Sequence, residues 1–582
     1  MKHLKLHLAV LALFQAGQLA AAELAITRAT IFPATGEMPY SGTVVIDEGL
    51  ISAINRDGSY PANTPVLDAE NLSLLPGFFD LHTHFTPRGY PATLPQIAQA
   101  YVASGVTTVL DFHQAPEAFA PRREWQESVP APHIRMVART STTGGHGADW
   151  SDTTTTKWVD TPYAATKAID ELVPYQPDAI KAFTDGWRYG SGVDNTSMNE
   201  PTLAALVAEA HANGMPVLSH TVTVERAGIA ARAGVDVIAH SLLDRPLDEA
   251  TIADMAAAKT SYAPTLAVYE PEKPGRDVPP EVMEKLRERF QVGLDNVKTL
   301  SDAGVNVALG TDAGMIGTPH GASTLREMEL LVRAGLSPAQ ALQAGTRNSA
   351  LALGVLDQRG TIEVGKAADL VLVDGEPWKE IGAVRNTVYT FVDGRKVFGP
   401  GAPAAVTATV MEPAPAATLI DDFERADGRT SLDTLRTGAP DGGLERSWQI
   451  IQTLPKVDGG KVLLLTGELA SREQAQIGVV LPLSQGSVQP VDASAFEGLS
   501  FELRGDGGPY LLSVTTTAGN WTSPLQADSE WRSVKVPFSA LQPLDPAQSP
   551  WSSAALIDVG FLIQRPGSNQ ETWLGLDNVA FY

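Results

Sequence analysis

The sequence contains no cysteine among its 582 residues. This absence excludes disulfide bonds, thiol nucleophiles, thiolate metal ligands and lipids attached to cysteine. A metal ion in this chain would have to be bound by histidine, by carboxylates or by less common ligands. The search for a reactive site therefore turns to the 11 histidines and the 67 acidic residues.

Basic residues and long apolar runs are also scarce. The chain has 43 basic residues against its 67 acidic ones, a net charge of -24. Such a balance argues against nucleic acid or an anionic membrane as a partner, because both repel a negative surface. No segment reaches the roughly 18 consecutive apolar residues that a membrane-spanning helix needs. We therefore expect a folded, soluble protein.

The first 22 residues have the pattern of a secretory signal peptide. Lys2 and Lys5 precede a short apolar stretch over residues 6–14, and three alanines end at Ala22. A basic start, a short apolar core and small residues before the cleavage point are the three parts of such a signal. The pattern predicts cleavage after Ala22 and a periplasmic or secreted protein.

The remaining length is enough for two or three domains. Strand-like segments in residues 23–74 resemble segments in residues 359–400, so we predict one small composite β-sandwich domain built from both regions. Residues 401–417 are rich in alanine and proline and are interpreted as a linker. Residues 418–582 contain short β-like runs separated by Gly, Asp and Ser, which predicts a second, C-terminal β-sandwich.

Between the two parts of the composite domain, apolar strand-like runs alternate with amphipathic helical segments. Continuous apolar runs are typical of buried parallel strands, and eight of them over about 280 residues match a (β/α)8 TIM barrel. The fold class is therefore α/β, with the barrel in residues 75–358. The eight runs are residues 77–84, 106–111, 133–138, 179–183, 216–220, 235–240, 261–266 and 305–312.

Metal-binding residue types stand at the ends of four of these runs. His82 and His84 are two positions apart in an extended segment, so both side chains point to the same side. Two exposed histidines at a sheet edge would show the same spacing. Three later runs end in His220, His240 and Asp312. Because the catalytic groups of TIM barrels lie at the carboxyl ends of the strands, these residues are candidates for one metal site.

Lys181 interrupts the apolar run of residues 179–183. A buried ammonium group is costly unless it is paired or chemically altered. Two alternatives remain open from the residues alone. Lys181 either pairs with a carboxylate inside the barrel, or its neutral amine has reacted with carbon dioxide to give a carbamate that bridges two metal ions.

Several motifs closely resemble the metal-dependent amidohydrolase superfamily throughout residues 24–400. They are residues 76–84 (PGFFDLHTH), 105–111 (GVTTVLD), 143–147 (TGGHG), 178–181 (DAIK), 309–314 (LGTDAG), 334–350 and 360–370. Within the superfamily they are most similar to the imidazolonepropionase-like and Xaa-Pro dipeptidase-like branch. The resemblance implies two divalent ions, zinc by default. One is bound by His82, His84 and Asp312 and the other by His220 and His240, with carboxylated Lys181 bridging them.

The resemblance also implies a mechanism and substrate contacts. A hydroxide between the metals would attack an amide carbonyl, while Asp312 takes up a proton and returns it to the leaving nitrogen. His146, within TGGHG, is expected to bind the substrate or polarise its carbonyl. Arg139, Arg188 and Tyr189 are expected on loops at the barrel mouth, where they could meet a substrate carboxylate. His113 is a candidate for the outer part of the site, whereas structural roles are expected for the remaining histidines, His133, His211 and His320.

The C-terminal segment resembles galactose-binding-like jelly rolls of the complex I intermediate-associated type. Such domains often bind carbohydrate on exposed aromatic rings, for which Trp521, Trp551 and Trp573 are candidates, although tryptophan is more often buried in a core. Acidic residues near its two ends could bind a structural calcium ion. These residues are Asp421, Asp422 and Asp577.

We therefore expect an exported dinuclear hydrolase that cleaves the C–N bond of a small amide, such as a dipeptide or N-acyl amino acid. One alternative keeps the barrel but uses a single metal to open a cyclic amide or to deaminate a ring. Another alternative is a glycan-binding protein with a vestigial barrel. Relatives of this kind often assemble through barrel helices, so an oligomer is compatible with the sequence.

Overall fold

The computed structural model describes residues 22–85, 94–147, 156–273, 278–404, 411–442, 446–456, 459–548, 550–567 and 570–582. Except for Ala22, the predicted signal peptide lies outside these residues. Residues 405–410, in the middle of the predicted linker, also lie outside them. Within the described residues, no helix is both long enough and apolar enough to cross a bilayer.

Seven parallel strands of the barrel are hydrogen-bonded in sequence order, and a short strand, Thr156–Trp158, pairs with the third of them. All seven are almost entirely buried, as expected for strands covered on both faces. Large apolar side chains such as Leu81, Val137 and Leu218 fill the barrel interior. The strands are Phe78–Thr83, Val106–Asp111, His133–Ser141, Ala179–Phe183, Val217–His220, Val237–Ala239 and Ser261–Ala263.

The eighth predicted strand closes the barrel with few regular contacts. The backbone N–H of Ala308 donates to Tyr262 O at 2.9 Å, on the side of the seventh strand. On the other side, the N–H of Leu81 in the first strand donates to Leu309 O at 2.9 Å. Residues 305–312 therefore lie between the first and seventh strands. The predicted (β/α)8 fold is confirmed.

Helices surround this sheet and pack against it through a large apolar cluster. Several begin at a side chain that accepts a backbone N–H, as Thr161, Asn199, Asp248 and Ser337 do. The helices are Leu94–Ala103, Phe119–Glu127, Pro162–Leu172, Glu200–Ala212, Val224–Arg232, Glu249–Ala258, Leu266–Tyr269, Pro280–Asp302, Ala322–Arg333, Pro338–Gln343 and Ser349–Ala352.

A second sheet joins strands from both sides of the barrel, as the repeated strand-like segments predict. Leu72–Pro76 pairs with Leu370–Asp374 in antiparallel register, so the chain enters and leaves the barrel through neighbouring strands. The sheet contains Leu24–Ile31, Tyr40–Asp47, Leu50–Asn55, Val66–Asp68, Leu72–Pro76, Leu370–Asp374, Thr387–Val392 and Arg395–Phe398.

The C-terminal region is an all-β sandwich of two mainly antiparallel sheets around one apolar core. Ala414–Pro415, at the end of the predicted linker, already pairs with Val491–Asp492 in one of these sheets. That sheet also contains Thr437–Gly438, Ala475–Pro482, Pro509–Thr516, Gly519–Gln526, Gln542–Pro543 and Leu556–Arg565. The other contains Leu419–Asp421, Trp448–Pro455, Lys461–Leu469, Gly498–Gly505, Arg532–Pro537 and Gln570–Phe581.

The predicted calcium ligands in this sandwich have partners within the protein. Asp421 forms a buried ion pair with Arg436 at 2.6 Å, and Asp577 pairs with Lys456. Asp422 accepts a hydrogen bond from the Ser431 hydroxyl at 3.0 Å. The calcium prediction is therefore corrected, because side-chain cations already neutralise the two buried carboxylates.

The tryptophans proposed as sugar platforms differ in their exposure. Trp521 is only 2% exposed and packs edge-on against Trp551 at a ring distance of 5.2 Å. Trp551 is half-buried and also packs against Phe538 at a ring distance of 5.2 Å. Trp573 is half-buried, with the Arg504 guanidinium 5.7 Å from its ring. The alternative assignment to the core is the correct one for Trp521.

Candidate active site

The first three predicted ligands converge at one end of the barrel. His84 Nε2 lies 3.0 Å from Asp312 Oδ1, and His82 Nε2 lies 3.6 Å from the same oxygen. One ligand atom from each residue lies within 4.8 Å of the other two. All three side chains are buried. The sequence pattern thus predicted a group that the fold assembles from the first and eighth strands.

The other two predicted ligands lie beside this group. The ring centroids of His220 and His240 are 4.6 Å apart, and His240 lies 4.5 Å from the ring of His82. Lys181 Nζ is 3.4 Å from His82 Nε2, so the lysine points into the same group of imidazoles. We call these six residues the ligand cluster: His82, His84, Lys181, His220, His240 and Asp312.

Lys181 is only 1% exposed and lies between two aromatic rings. Its Nζ is 4.8 Å from the ring centroid of Phe112 and 5.4 Å from that of Phe183. Burial lowers the pKa of Lys181 to about 7, although the charge of Asp312 acts in the opposite direction. No carboxylate pairs directly with this amine among the described residues. The ion-pair alternative for Lys181 is therefore not what the structure contains.

The electrostatics of the cluster suit a bound cation. Burial lowers the pKa of His82, His220 and His240 well below 6.5, and nearby Lys181 lowers each further. Neutral imidazoles present lone pairs, the form in which histidine binds metals. Asp312 Oδ1 is buried without a hydrogen-bond donor and faces the Nε2 atoms of His82 and His84. Converging acceptor atoms of this kind are a donor set for a divalent ion.

Three residues in or beside the ligand cluster have strained backbone conformations. Asp312, His240 and Thr265 all adopt left-handed conformations, with φ of 62°, 84° and 47°. Each such non-glycine residue costs on the order of 1 to 3 kcal/mol and persists only where its surroundings enforce it. This enforcement directs the side chains of Asp312 and His240 into the barrel mouth.

Two residues that sequence reasoning missed support the ligands. Asp80 is fully buried and accepts hydrogen bonds from the hydroxyls of Thr311 and Thr324 at 2.7 and 2.8 Å. It thereby links the strand that carries His82 to the segment that ends in Asp312. Thr265 Oγ1 lies 3.0 Å from His240 Nδ1 and orients that ring. Asp80 stands inside the PGFFDLHTH motif, whereas nothing in the sequence distinguishes Thr265.

A cavity of about 720 Å³ opens above the cluster. His146 lines it, and its ring stacks on that of His220 at a centroid distance of 4.2 Å. Tyr189 also lines it, and its hydroxyl lies 2.9 Å from that of Tyr269. Apolar side chains and the cations Lys273, Lys285 and Arg289 complete much of the wall.

The two predicted arginines lie elsewhere. Arg188, although next to Tyr189, is not among the residues that line this cavity. Arg139 lies within the strand His133–Ser141, where it is 4% exposed, so its expected position on a mouth loop is wrong. Its register neighbour in the next strand is Lys181, which is buried as well.

The remaining histidines have the roles of neighbours or structural residues. His113 lies 6.1 Å from the ring of His84, at the edge of the cluster. His320 Nε2 lies 2.8 Å from the backbone oxygen of His84 and supports that residue from outside. His211 Nε2 lies 2.8 Å from Asp236 Oδ2 on the barrel exterior. His133 contacts Asp369, which is discussed below.

A (β/α)8 barrel with two histidines at the carboxyl end of its first strand and an aspartate at the end of its eighth belongs to a class of barrel proteins that carry candidate metal ligands at this end. Residues 73–397, more than half of the chain, match the model of the amidohydrolase family. The chain therefore belongs to the amidohydrolase family, and its similarity to a deaminase, to imidazolonepropionases and to a Xaa-Pro dipeptidase supports a hydrolase of carbon–nitrogen bonds. Residues 433–570 match the model of complex I intermediate-associated protein 30.

Three relatives match this chain over most of their own length. The 5-methylthioadenosine/S-adenosylhomocysteine deaminase of Moorella thermoacetica is 26% identical over 387 residues, which cover 60% of this chain and 86% of that protein. A protein provisionally assigned as a prolidase from Bifidobacterium longum is 28% identical, with a TM-score of 0.58 over 66% of this chain and 97% of its own. A Xaa-Pro dipeptidase with methionine bound in its active site is 26% identical, with a TM-score of 0.56 and coverage of 64% and 99%.

Proposed function

We propose that this protein is a dinuclear metal hydrolase that cleaves the amide bond of a dipeptide or an N-acyl amino acid. The observation that carries the proposal is the position of Lys181, whose Nζ lies 3.4 Å from His82 Nε2 within the ligand cluster. A carbamate on Lys181 would supply two oxygens there. The similarity to a Xaa-Pro dipeptidase supports the choice of substrate.

The residues divide into two groups of metal ligands. His82, His84 and Asp312 would hold one ion, His220 and His240 the other, and carboxylated Lys181 would contact both. Zinc is the default for imidazole and carboxylate ligands. When bound, a pair of such ions lowers the pKa of water and polarises a carbonyl oxygen.

The protein's own groups supply binding and proton transfer. Asp312 accepts a proton from the attacking water and donates it to the leaving nitrogen, which would otherwise depart as an unstable anion. His146, at the cavity wall beside His220, donates a hydrogen bond to the substrate carbonyl oxygen and stabilises its developing negative charge. The buried surroundings strengthen both interactions because little water competes with them.

The proposal also includes export. The signal-like pattern of residues 1–22 supports a periplasmic or secreted protein, and the absence of cysteine is compatible with an oxidising compartment. Cell fractionation combined with N-terminal sequencing would test this part. A mature chain that begins at Glu23 supports it, and an intact Met1 in the cytoplasmic fraction contradicts it.

A mononuclear deaminase or cyclic-amide hydrolase is the second candidate, because one relative is a deaminase. In that enzyme Lys181 would remain an unmodified amine. A glycan-binding protein with a vestigial barrel is a weaker candidate, since all six residues of the ligand cluster are present and brought together.

The decisive experiment compares wild type with Lys181→Ala for metal content per chain and for hydrolysis of a library of dipeptides and N-acyl amino acids. Two metals per chain in wild type, lost together with hydrolysis in the variant, are the expected result. One metal per chain with activity that survives the substitution would support the mononuclear alternative. Short carboxylic acids added to the variant provide a control, because a carboxylate that replaces the carbamate should partly restore metal binding and activity.

A further inference from the structure

One helix supplies both apolar and cationic side chains to the cavity wall. Val282, Lys285, Leu286, Arg289 and Phe290 of helix Pro280–Asp302 all line the cavity. Their spacing of three and four residues places them on one face of the helix. We call these five residues the helix face. It borders the space above the ligand cluster.

The two cations of the helix face have no acidic partner among the described residues. No carboxylate of the described residues forms an ion pair with Lys285 or with Arg289. By contrast, Arg287 of the same helix points to another side and pairs with Glu272 at 2.6 Å and Glu284 at 3.2 Å. In a chain of net charge -24, acidic partners are abundant. Two cations at one cavity with no carboxylate partner among the described residues favour an anion from outside the protein.

A chain of contacts between aromatic side chains connects Arg289 with the ligand cluster. The ring of Tyr269 lies 6.2 Å from that of His240, and its hydroxyl lies 2.9 Å from the Tyr189 hydroxyl. Trp187 lies 5.0 Å from Tyr189, and the Arg289 guanidinium lies 5.3 Å from the Trp187 ring. The cation thus stands at the outer end of a chain of contacts whose inner end is a candidate metal ligand.

The backbone fixes this chain of contacts in place. Tyr189 adopts a left-handed conformation with φ of 55°, which costs free energy unless its neighbours enforce it. Its hydroxyl is held by Tyr269 within the cavity wall. Burial raises the pKa of Tyr189. The charge of Asp312 raises this pKa further and the charge of Arg289 lowers it, so the Tyr189 hydroxyl interacts electrostatically with both residues.

We propose that Lys285 and Arg289 bind a carboxylate at the end of the substrate that points out of the barrel, and that Val282, Leu286 and Phe290 contact an adjacent apolar side chain. The inference rests on the proposed amide hydrolysis and narrows it to anionic amides with an apolar group. Neutral amides of the same shape are poor substrates, because they leave both cations without a counter-charge.

The test uses matched pairs of compounds. Each N-acyl amino acid or dipeptide with an apolar C-terminal residue is compared with its own C-terminal carboxamide, which has the same scissile bond but no negative charge. The metal-loaded wild type should show a kcat/KM for the acid about 10- to 100-fold above that for the carboxamide. Added salt should reduce this ratio, since screening weakens exposed charge pairs.

Variants assign the effect to the helix face. The double substitution Lys285→Met with Arg289→Met should raise KM for the acids by about 10- to 100-fold, leave kcat nearly unchanged and leave the carboxamides unaffected. Arg289→Lys, which retains the charge, should recover part of the loss. Arg287→Met is the matched control, because that side chain pairs on another side of the helix, and it should behave as wild type.

Equal kcat/KM values for acids and carboxamides in wild type would overturn the inference while leaving amide hydrolysis intact. A loss in Arg287→Met as large as in the double variant would overturn it as well. If no amide is hydrolysed, the proposed function fails, and calorimetric binding of N-acetyl-phenylalanine to metal-loaded protein decides the inference. Binding that the double variant loses would still support the anion site, and no binding by wild type would overturn it.

Discussion

Two clusters of histidine and aspartate in this molecule have similar composition but different neighbouring charges. His82, His84 and Asp312 lie within 4.8 Å of one another, and so do His133, Asp369 and Asp393. In the second cluster, however, the Arg359 guanidinium lies 2.6 Å from Asp369 and 3.8 Å from Asp393. A cation of the protein thus already stands where a metal would bind.

The two clusters also differ in their position in the barrel. The first cluster lies at the carboxyl ends of strands, and the second begins with His133, the first residue of the strand His133–Ser141. Asp369 and Asp393 come from the composite β domain, so the second cluster joins two parts of the fold. In TIM barrels, the carboxyl end carries catalysis and the opposite end carries stability. Residue type alone therefore does not distinguish a candidate metal centre from a structural cluster, whereas the neighbouring charges do.

The largest effect is expected from Asp312→Asn. The substitution keeps the shape of the side chain but removes its charge and its capacity to accept a proton. We expect kcat/KM to fall by more than about 1,000-fold and the metal content to decrease, since a ligand and a proton carrier are lost together. Steady-state kinetics with metal analysis measure both. An activity within tenfold of wild type would show that Asp312 has neither role.

Asp369→Asn should produce the contrasting result. Removing one partner of a buried ion pair costs about 3 to 5 kcal/mol, and here Arg359 and His133 would keep only the more exposed and more distant Asp393 as a counter-charge. We expect the free energy of unfolding to decrease by this amount in denaturant titrations, with the metal content per folded chain unchanged. Loss of bound metal from the folded variant would mean that the second cluster is itself a metal site.

A smaller effect is expected from Asp80→Asn, which tests how the first cluster is positioned. Asp80 touches no substrate, but it joins Thr311 and Thr324 to the strand of His82. Residues that orient metal ligands typically contribute 10- to 100-fold to activity or metal affinity, so kcat should fall by about that factor. Thr324→Val is a milder control that removes one of the two hydrogen bonds. An unchanged kcat in Asp80→Asn would limit its role to folding.

The smallest effect concerns the pH dependence of the second cluster. Burial lowers the pKa of His133, but hydrogen bonds with Asp369 and Asp393 outweigh it, so the pKa is raised above 6.5. Charged His133 therefore stabilises the fold below pH 6.5, and this contribution is lost as the pH rises through the higher pKa of the folded state. The difference in unfolding free energy between wild type and His133→Gln should therefore shrink as the pH rises through the pKa of the folded state. A difference that grows with pH would contradict this assignment.

Sequence reasoning was most successful where residue spacing and strand position act together. The His-x-His spacing and the ends of apolar runs singled out five candidate ligands, and the structure places them at one end of the barrel. It failed for Arg139, because a strand that extends through Ser141 carries that arginine into the barrel. It also failed for the predicted calcium ligands, because no local pattern reveals that Arg436 and Lys456 fold back onto Asp421 and Asp577.

The sequence by itself determined the parallel barrel, the composite sheet and the residues at the strand ends, because local periodicity follows directly from burial and from the geometry of strands. Only the tertiary structure decided which charges meet. It left Lys181 among imidazoles, gave Asp369 an arginine, and placed Lys285 and Arg289 at the cavity above the ligand cluster, where no described carboxylate pairs with them. Electrostatic interactions depend on distances across the fold, and residues such as His84 and Asp312 are separated by more than 200 positions along the chain.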